Sequence, residues 1–454
     1  MTRSQITTRA TDPETLGRYM DELSRLVAFP TEPGAAEAHA ACLKHIAALM
    51  AAHGFVARWI EGDHPPALLL SRVEGPNLPT VLGYGHADTV PAMEGRWSAG
   101  LTPWKLTERE GRLYGRGVAD NKGQLLVNLT ALRLVLETRG ALGFNGHMLV
   151  EMGEEVGSPG LEAICAGLKD DLKADFVLAS DGPRLAEDQP IVFLGARGAV
   201  TLRLTIRHRT GGRHSGNFGG LLRNPGTEMA HALSAIIGPL GECRVHGWTP
   251  DAVPEATRAA LAGIIPAGGE IDPGWGTPGL TPAERVFAWS AVEVLDFICG
   301  SPERTVNAIP PEATAHIQLR HVVGLDADDI VPALRRHLAA EGFDYVEIDE
   351  PEARFPASAT PPDHPLARFA CASIERTTGT APALLPSLGG SLPNHVFTDT
   401  LGLPAIWVPH SYPGCSQHAP DEHLPRAMIP GAIALMAGLY DDIGQAGRAG
   451  LGLG

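Results

Sequence analysis

Five separated points of the chain carry acid or imidazole groups: Gly85-His86-Ala87-Asp88, Asp120, Glu154-Glu155, Asp181 and His418. Most stand at the ends of apolar runs. Imidazole nitrogen with carboxylate oxygen suits zinc and also accepts manganese or cobalt. One catalytic metal takes about four ligands, often with a water in the open position. His86, Asp120, Glu155, Asp181 and His418 exceed that number, so two divalent ions sharing a bridging carboxylate fit better. Glu154, beside a ligand in sequence, is then free to act as general base. Metal binding lowers the pKa of water from roughly 16 to about 7, so a neighbouring carboxylate can take its proton at neutral pH. Asp88 lies two residues from His86, on the same face of an extended chain, where it can accept the imidazole's other N–H. Each point alone has a plainer reading: a satisfied strand-end histidine, a solvated Glu-Glu turn, an aspartate in Ser-Asp-Gly-Pro. His410 and His423 compete with His418. The ordered set carries the chemistry, and that chemistry is metal-dependent hydrolysis.

These residues need a scaffold that gathers them. Short apolar runs at 67–71, 80–84, 147–152 and 175–179 read as strands. They alternate with helical patterns at 36–53 and 122–138, the latter with Leu125, Leu129, Leu132 and Leu136 on one face. Strands alternating with helices imply an α/β fold, a mixed and mostly parallel sheet flanked by helices. Ligands bind beyond the C-terminal strand ends of such sheets, where His86, Glu154-Glu155 and Asp181 stand. The texture changes near Gly195. Residues 199–208 alternate strictly, with Val200, Leu202, Leu204 and Ile206 opposite Thr201, Arg203, Thr205 and Arg207, the pattern of a half-exposed antiparallel strand. A second alternating run at 313–322, helices at 228–237 and 326–341 and a short strand at 345–348 complete an α+β unit, an antiparallel sheet with two helices. Residues 249–283 form a Pro- and Gly-rich surface excursion. A Pro-rich linker at 355–365 precedes a helix at 366–378 and a strand at 404–408. His418 follows that strand, so the last segment must rejoin the first. The expected division is a catalytic domain over 1–195 and 356–454, with an inserted lid and dimerisation domain over 196–355.

Composition narrows the partners. At 454 residues two domains are expected. The formal net charge of −16 disfavours nucleic acid and anionic membrane surfaces. No uninterrupted apolar stretch reaches membrane-spanning length, and the N-terminal 20 residues lack the apolar core of a secretory signal. Six cysteines without paired spacing argue against a disulfide framework and a thiolate zinc cluster, and for a reducing cytoplasm. Cys415, near His418, is a poor candidate nucleophile, because the metals supply the attacking group. The Gly-rich tail at 444–454 is expected to fray.

Five stretches, GHADTVP (85–91), LYGRGVADNKGQ (113–124), EMGEEVGSPG (151–160), ASDGP (179–183) and CSQHAPDEH (415–423), together resemble the co-catalytic metallopeptidase family. That family includes aminoacylase, acetylornithine deacetylase, succinyl-diaminopimelate desuccinylase, glutamate carboxypeptidase and carnosinase. The resemblance runs in the family's order over nearly the whole chain. It implies that Asp120 bridges the metals, that His86 and Asp181 complete one site and Glu155 and His418 the other, and that Glu154 is the base. It also implies a cis peptide at Asp120–Asn121. Asp rather than Glu at 181 is similar to the dipeptidase and carnosinase-like branch. RHSGNFGG (213–220) resembles the lid motif whose histidine reaches the partner subunit's active site, so His214 would polarise the scissile carbonyl. Asn307 and Arg320 resemble lid residues that bind the substrate carbonyl and carboxylate, a task suited to arginine's planar fork. Gly390 and Ser391 lie in GGSLPN, which is similar to the family's substrate loop. Where members often carry Arg-Glu before those glycines, this chain has Ser387-Leu388. The expected activity is hydrolysis of an amide bond in a dipeptide or N-acyl amino acid with a free carboxylate, by a homodimer paired through the lid. The alternatives are a carbamoyl or aromatic C–N bond, or a silent metal-binding relative that has kept its ligands.

Overall fold

The structure is a computed structural model that describes residues 2–266, 271–301, 303–351 and 354–453. The chain divides into two compact units. Unit 1 holds Met1–Gly195, Ala359–Pro386 and Pro393–Gly454; unit 2 holds Ala196–Ser358 and Ser387–Leu392.

Unit 1 is built on an eight-stranded sheet. In spatial order its strands are Val56–Gly62, His64–Arg72, Asn145–Glu151, Thr80–His86, Phe176–Ala179, Ala405–Trp407, Ile191–Phe193 and Ala383–Leu385. The four central ones, from Asn145–Glu151 to Ala405–Trp407, are mutually parallel. Both Thr80–His86 and Asn145–Glu151 are buried along their whole length, which explains why they read as continuous apolar runs rather than alternating ones. Four neighbouring parallel strands end on one edge. His86, Glu154-Glu155 and Asp181 follow three of them directly, and His418 follows the fourth by a loop.

The helix Lys122–Arg139 packs against Pro13–Val27, Met428–Gly450 and the strand Thr80–His86. It is buried on nearly every side, so the leucine stripe marks only part of its contact surface. Its start lies close to the sheet: a side-chain carbon at Gly85 would come within 3.0 Å of the Leu125 side chain. Gly140, in the left-handed region, ends it. The C-terminal tail does not fray as its glycines suggest. The last helix continues to Gly450 across a break at Gly447, because Leu451 is buried and Arg448 pairs with Asp175 at 2.7 Å. The strand Val56–Gly62 escapes the sequence pattern because it is an edge strand with almost no buried side chain.

In unit 2 the strands Ala291–Cys299, Glu312–His321, Gly198–Arg207 and Glu347–Ile348 form an antiparallel sheet. Val200, Leu202, Leu204 and Ile206 pack with Met229 and Ile236 of the helix Pro225–Ile236 and with Leu334 and Leu338 of the helix Ile330–Ala340. Thr205, expected on the exposed face, is buried. The described part of the 249–283 excursion, which leaves out 267–270, is more ordered than its composition suggests. Trp248 anchors its start by donating from Nε1 to the Ile330 carbonyl, and two short helices, Glu255–Ala260 and Pro282–Phe287, lie within or at the end of it.

Candidate metal centre

The parallel strand ends bring all five expected ligands of unit 1 together in two groups. His86, Asp120 and Asp181 present one ligand atom each within 4.8 Å of one another, and so do Asp120, Glu155 and His418. Asp120 belongs to both through different oxygens. Its Oδ1 lies 3.3 Å from His86 Nε2, and its Oδ2 lies 3.1 Å from His418 Nε2. Asp181 Oδ2 is 3.5 Å from His86 Nε2, and Glu155 Oε2 is 3.1 Å from His418 Nε2. Glu154 belongs to neither group; its Oε2 stands 3.9 Å from His86 Nε2.

The polar inventory fits divalent cations. Both ring nitrogens of buried His86 and Oδ2 of buried Asp181 lack a hydrogen-bond partner. Buried polar atoms seldom remain so in a finished site. The donors are imidazole and carboxylate, the set that zinc, manganese and cobalt share.

Charge within the cluster follows from burial and proximity. Burial disfavours a protonated His86, but the nearby carboxylates of Asp120, Asp181 and Asp88 outweigh it and hold the imidazole well above its ordinary pKa. Hydrogen bonds to Asp120 and Glu155 lift His418 to about 10. Burial raises Glu154 well above the usual carboxylate range; His86 opposes this, while Asp181, Asp120 and Glu155 add to it. Burial likewise raises Glu155, against its hydrogen bond to His418.

Supporting groups fix this geometry. Asp88 lies 3.3 Å from His86 Nδ1 and accepts the backbone N–H of Glu155 at 3.1 Å, so it ties the histidine strand to the Glu-Glu turn. The peptide Asp120–Asn121 is cis. His418 sits in the left-handed region at φ 59°, a conformation costly for a residue with a side chain and found mostly where function requires it. His410 is buried beside Ser180 and Arg184, and His423 bonds to the Asp421 carbonyl; neither joins the cluster.

Glu422 was not among the expected site residues. It is buried and accepts from Arg116 Nη1 and from the backbone N–H groups of Gly117, Ala119 and Asp120, all at 2.9–3.0 Å. One carboxylate thereby shapes the loop that presents Asp120. Gln417 also donates to Asp120 Oδ2 at 3.2 Å. Both residues lie inside the CSQHAPDEH stretch, but nothing in their spacing separates an anchor from a solvated acid.

The expected residues of unit 2 fall into two groups. The short strand Arg213–His214 pairs with Ala308–Ile309, and the N–H of Ser215 donates to the carbonyl of Asn307 at 3.0 Å. His214 and Asn307 are thus neighbours, and both are exposed. Separately, Arg320 Nη1 donates to Ser391 Oγ at 2.9 Å, and Ser391 Oγ donates to the Arg197 carbonyl at 2.8 Å. Gly390 precedes Ser391 in that loop and is exposed.

A mixed, mostly parallel sheet that gathers imidazoles and carboxylates in two groups around a shared aspartate defines a metal-dependent hydrolase of the α/β class. The profile of Peptidase family M20/M25/M40 matches residues 82–442, and the chain belongs to that family. The chain is 28% identical over 395 residues to cysteinylglycine-S-conjugate dipeptidase of Corynebacterium striatum, covering 83% of this chain and 84% of that one. It is 34% identical over 187 residues to beta-Ala-His dipeptidase of Rattus norvegicus, a match spanning 40% of this chain and 37% of the relative. Among solved structures, human carnosine dipeptidase 1 aligns over 98% of this chain and 99% of its own, at a TM-score of 0.76 and 20% identity. An M20 family metallo-carboxypeptidase from Sulfolobus solfataricus aligns over 94% and 99%, at 0.77 and 22%. At these identities the structural likeness speaks to the fold alone.

Proposed function

We propose that this enzyme hydrolyses the peptide bond of dipeptides, or the amide bond of N-acyl amino acids, next to a free carboxylate. It works with two divalent ions, zinc first and manganese or cobalt as substitutes. The carrying observation is the division of Asp120 between two ligand groups with Glu154 left over. The match to a dipeptidase across most of the chain supports a dipeptide substrate.

His86 and Asp181 would hold one ion, Glu155 and His418 the other, and Asp120 both. Bound there, the ions supply Lewis-acid activation of water and of the scissile carbonyl. Glu154 accepts the proton of the attacking water and returns it to the leaving amine. Its surroundings suit that role, since burial and three acidic neighbours raise its affinity for the proton well above that of an exposed carboxylate. Asp88 fixes the His86 ring. His214 stabilises the developing oxyanion from the partner subunit, Asn307 contacts the substrate carbonyl, and Arg320 with Gly390 and Ser391 receives its carboxylate. The domain that carries these residues is an inserted lid and also the dimerisation surface of a homodimer. Its edge strand Ala291–Cys299 supports this, because Val294, Leu295, Phe297 and Ile298 are all exposed along it, and an apolar open edge is ordinarily covered. A cytoplasmic location is supported by six cysteines that are all unpaired. No helix among the described residues is long and apolar enough to cross a membrane.

The deciding experiment is Glu154→Ala. Turnover of a dipeptide panel is expected to fall by about 10²–10⁴, while metal content by elemental analysis stays at two per subunit. Unchanged turnover would sink the mechanism.

A further inference from the structure

Unit 2 contains a cavity of about 420 Å³ whose lining includes Arg197, Trp275, Val286, Trp289, Ser290 and Glu293. That volume falls within the range of small-molecule sites. Its walls are built rather than incidental. Trp275 lies against the backbone of Gly241, where an added side-chain carbon would sit 2.5 Å from the indole. Arg285 donates to the Trp275 carbonyl, and the N–H of Gly276 donates to the Leu240 carbonyl. Arg197 is held from behind: its Nε donates to the Gly389 carbonyl at 2.9 Å.

Three donor groups in this cavity lack acceptors. The terminal nitrogens of Arg197 meet no acidic or carbonyl partner among the described residues. Ser290 Oγ and Trp289 Nε1 are both buried and unpaired, a condition that native sites resolve with a ligand or water. Two carboxylates, Asp272 and Glu293, also line the cavity; both are exposed and neither makes an ion pair with Arg197. Arg320 stands near enough to repel Arg197, and burial together with that repulsion lowers the Arg197 pKa to about 10. The cavity therefore offers a planar cation, a hydroxyl and an indole N–H, beside a flat apolar wall.

We propose that this cavity binds a small carboxylate with a flat apolar body. Arg197 pairs with the carboxylate, Ser290 and Trp289 donate to it, and Trp275 lies against the body. A planar guanidinium with free terminal nitrogens matches a carboxylate bidentately, and an indole wall favours an aromatic ring. Two sources share this chemistry: a free aromatic amino acid and an aromatic acid without an amine.

The test is titration of the full-length, metal-loaded enzyme with L-phenylalanine and, separately, with 3-phenylpropionate, read by calorimetry and by tryptophan fluorescence. Saturable binding of at least one is expected. Stronger binding of phenylalanine assigns the amino acid as the source, through Glu293 or Asp272; stronger binding of phenylpropionate assigns the plain acid. Either result supports the site if Arg197→Gln raises Kd at least tenfold, Ser290→Ala raises it several-fold, and His418→Ala leaves it unchanged. The proposal is overturned if neither acid saturates, if Arg197→Gln and Ser290→Ala both bind like the parent, or if His418→Ala abolishes binding, which would place it at the metal centre. Should Arg197→Gln fail to fold, the smaller Ser290→Ala change decides.

Discussion

Asp120 turns its two oxygens toward different histidines, and its backbone is held by a residue 302 positions away. Glu422 fills that role while buried, neutralising Arg116 and accepting three backbone N–H groups. Glu422→Gln turns an NH₂ group toward amides that need an acceptor and leaves Arg116 buried without its partner. Breaking a buried pair this way costs about 3–5 kcal/mol, and losing support behind a ligand weakens metal binding about 10–100-fold. Both losses are expected, read by thermal melts and by metal retention on dialysis; a variant that holds metal like the parent would remove Glu422 from the site. Glu151 tests burial instead. It accepts from Tyr84 and Ser158, and burial raises its pKa from 4.5 to about 7. The folded state then binds this proton more tightly than the unfolded one between those values, so stability falls as pH rises through that window. In chelator, the stability of Glu151→Gln relative to the parent is expected to increase from pH 5 to pH 8. A gap that stays flat across that range would refute the assignment.

At the scale of elements, the start of the helix Lys122–Arg139 decides where Asp120 points. An alanine side chain at Gly123 would stand 2.0 Å from the backbone oxygen of Val118. Helix propensity favours Ala over Gly by about 1 kcal/mol, but a backbone clash of this depth forces the 117–121 loop to move, at about 1–3 kcal/mol or more. Gly123→Ala is expected to lower the melting temperature and the metal content together. Gly167, in the helix Leu161–Leu172, has nothing within 4 Å of the same added carbon. Gly167→Ala is expected to be neutral or stabilising, and equal effects at both positions would show that close approach is not what glycine provides at 123.

For the whole molecule, the open strand Ala291–Cys299 carries the assembly question. Phe297→Lys with Val294→Lys places two charges on that edge, and the proposed dimer is expected to give way to monomer in analytical ultracentrifugation, whereas a parent that already sediments as a monomer would refute the pairing. A second check uses function: mixing His214→Ala with Glu154→Ala subunits should restore part of the activity if the histidine acts in trans. No recovery despite demonstrated subunit exchange would confine His214 to its own subunit.

By itself the sequence determined the fold class and named the candidate ligands that the structure gathers. Both are local signals: short apolar runs that end in acid or imidazole, and a change from continuous to alternating runs near Gly195. It could also place His418 with the others, because a strand pattern precedes it. Only the tertiary structure decided which acids hold the site in place. Glu422, Gln417 and Tyr84 reach their partners across the fold, and a buried acid that accepts four donors reads in sequence like a solvated one. The structure also corrected the tail, whose glycines suggest fraying but whose Leu451 and Arg448 are held by the domain. It found the cavity beside Arg197 as well, since unpaired donors are a property of packing and leave no trace in residue order. Ligation needs particular residue types at strand ends, which sequence records. Burial and hydrogen-bond satisfaction depend on what distant segments bring, which it does not.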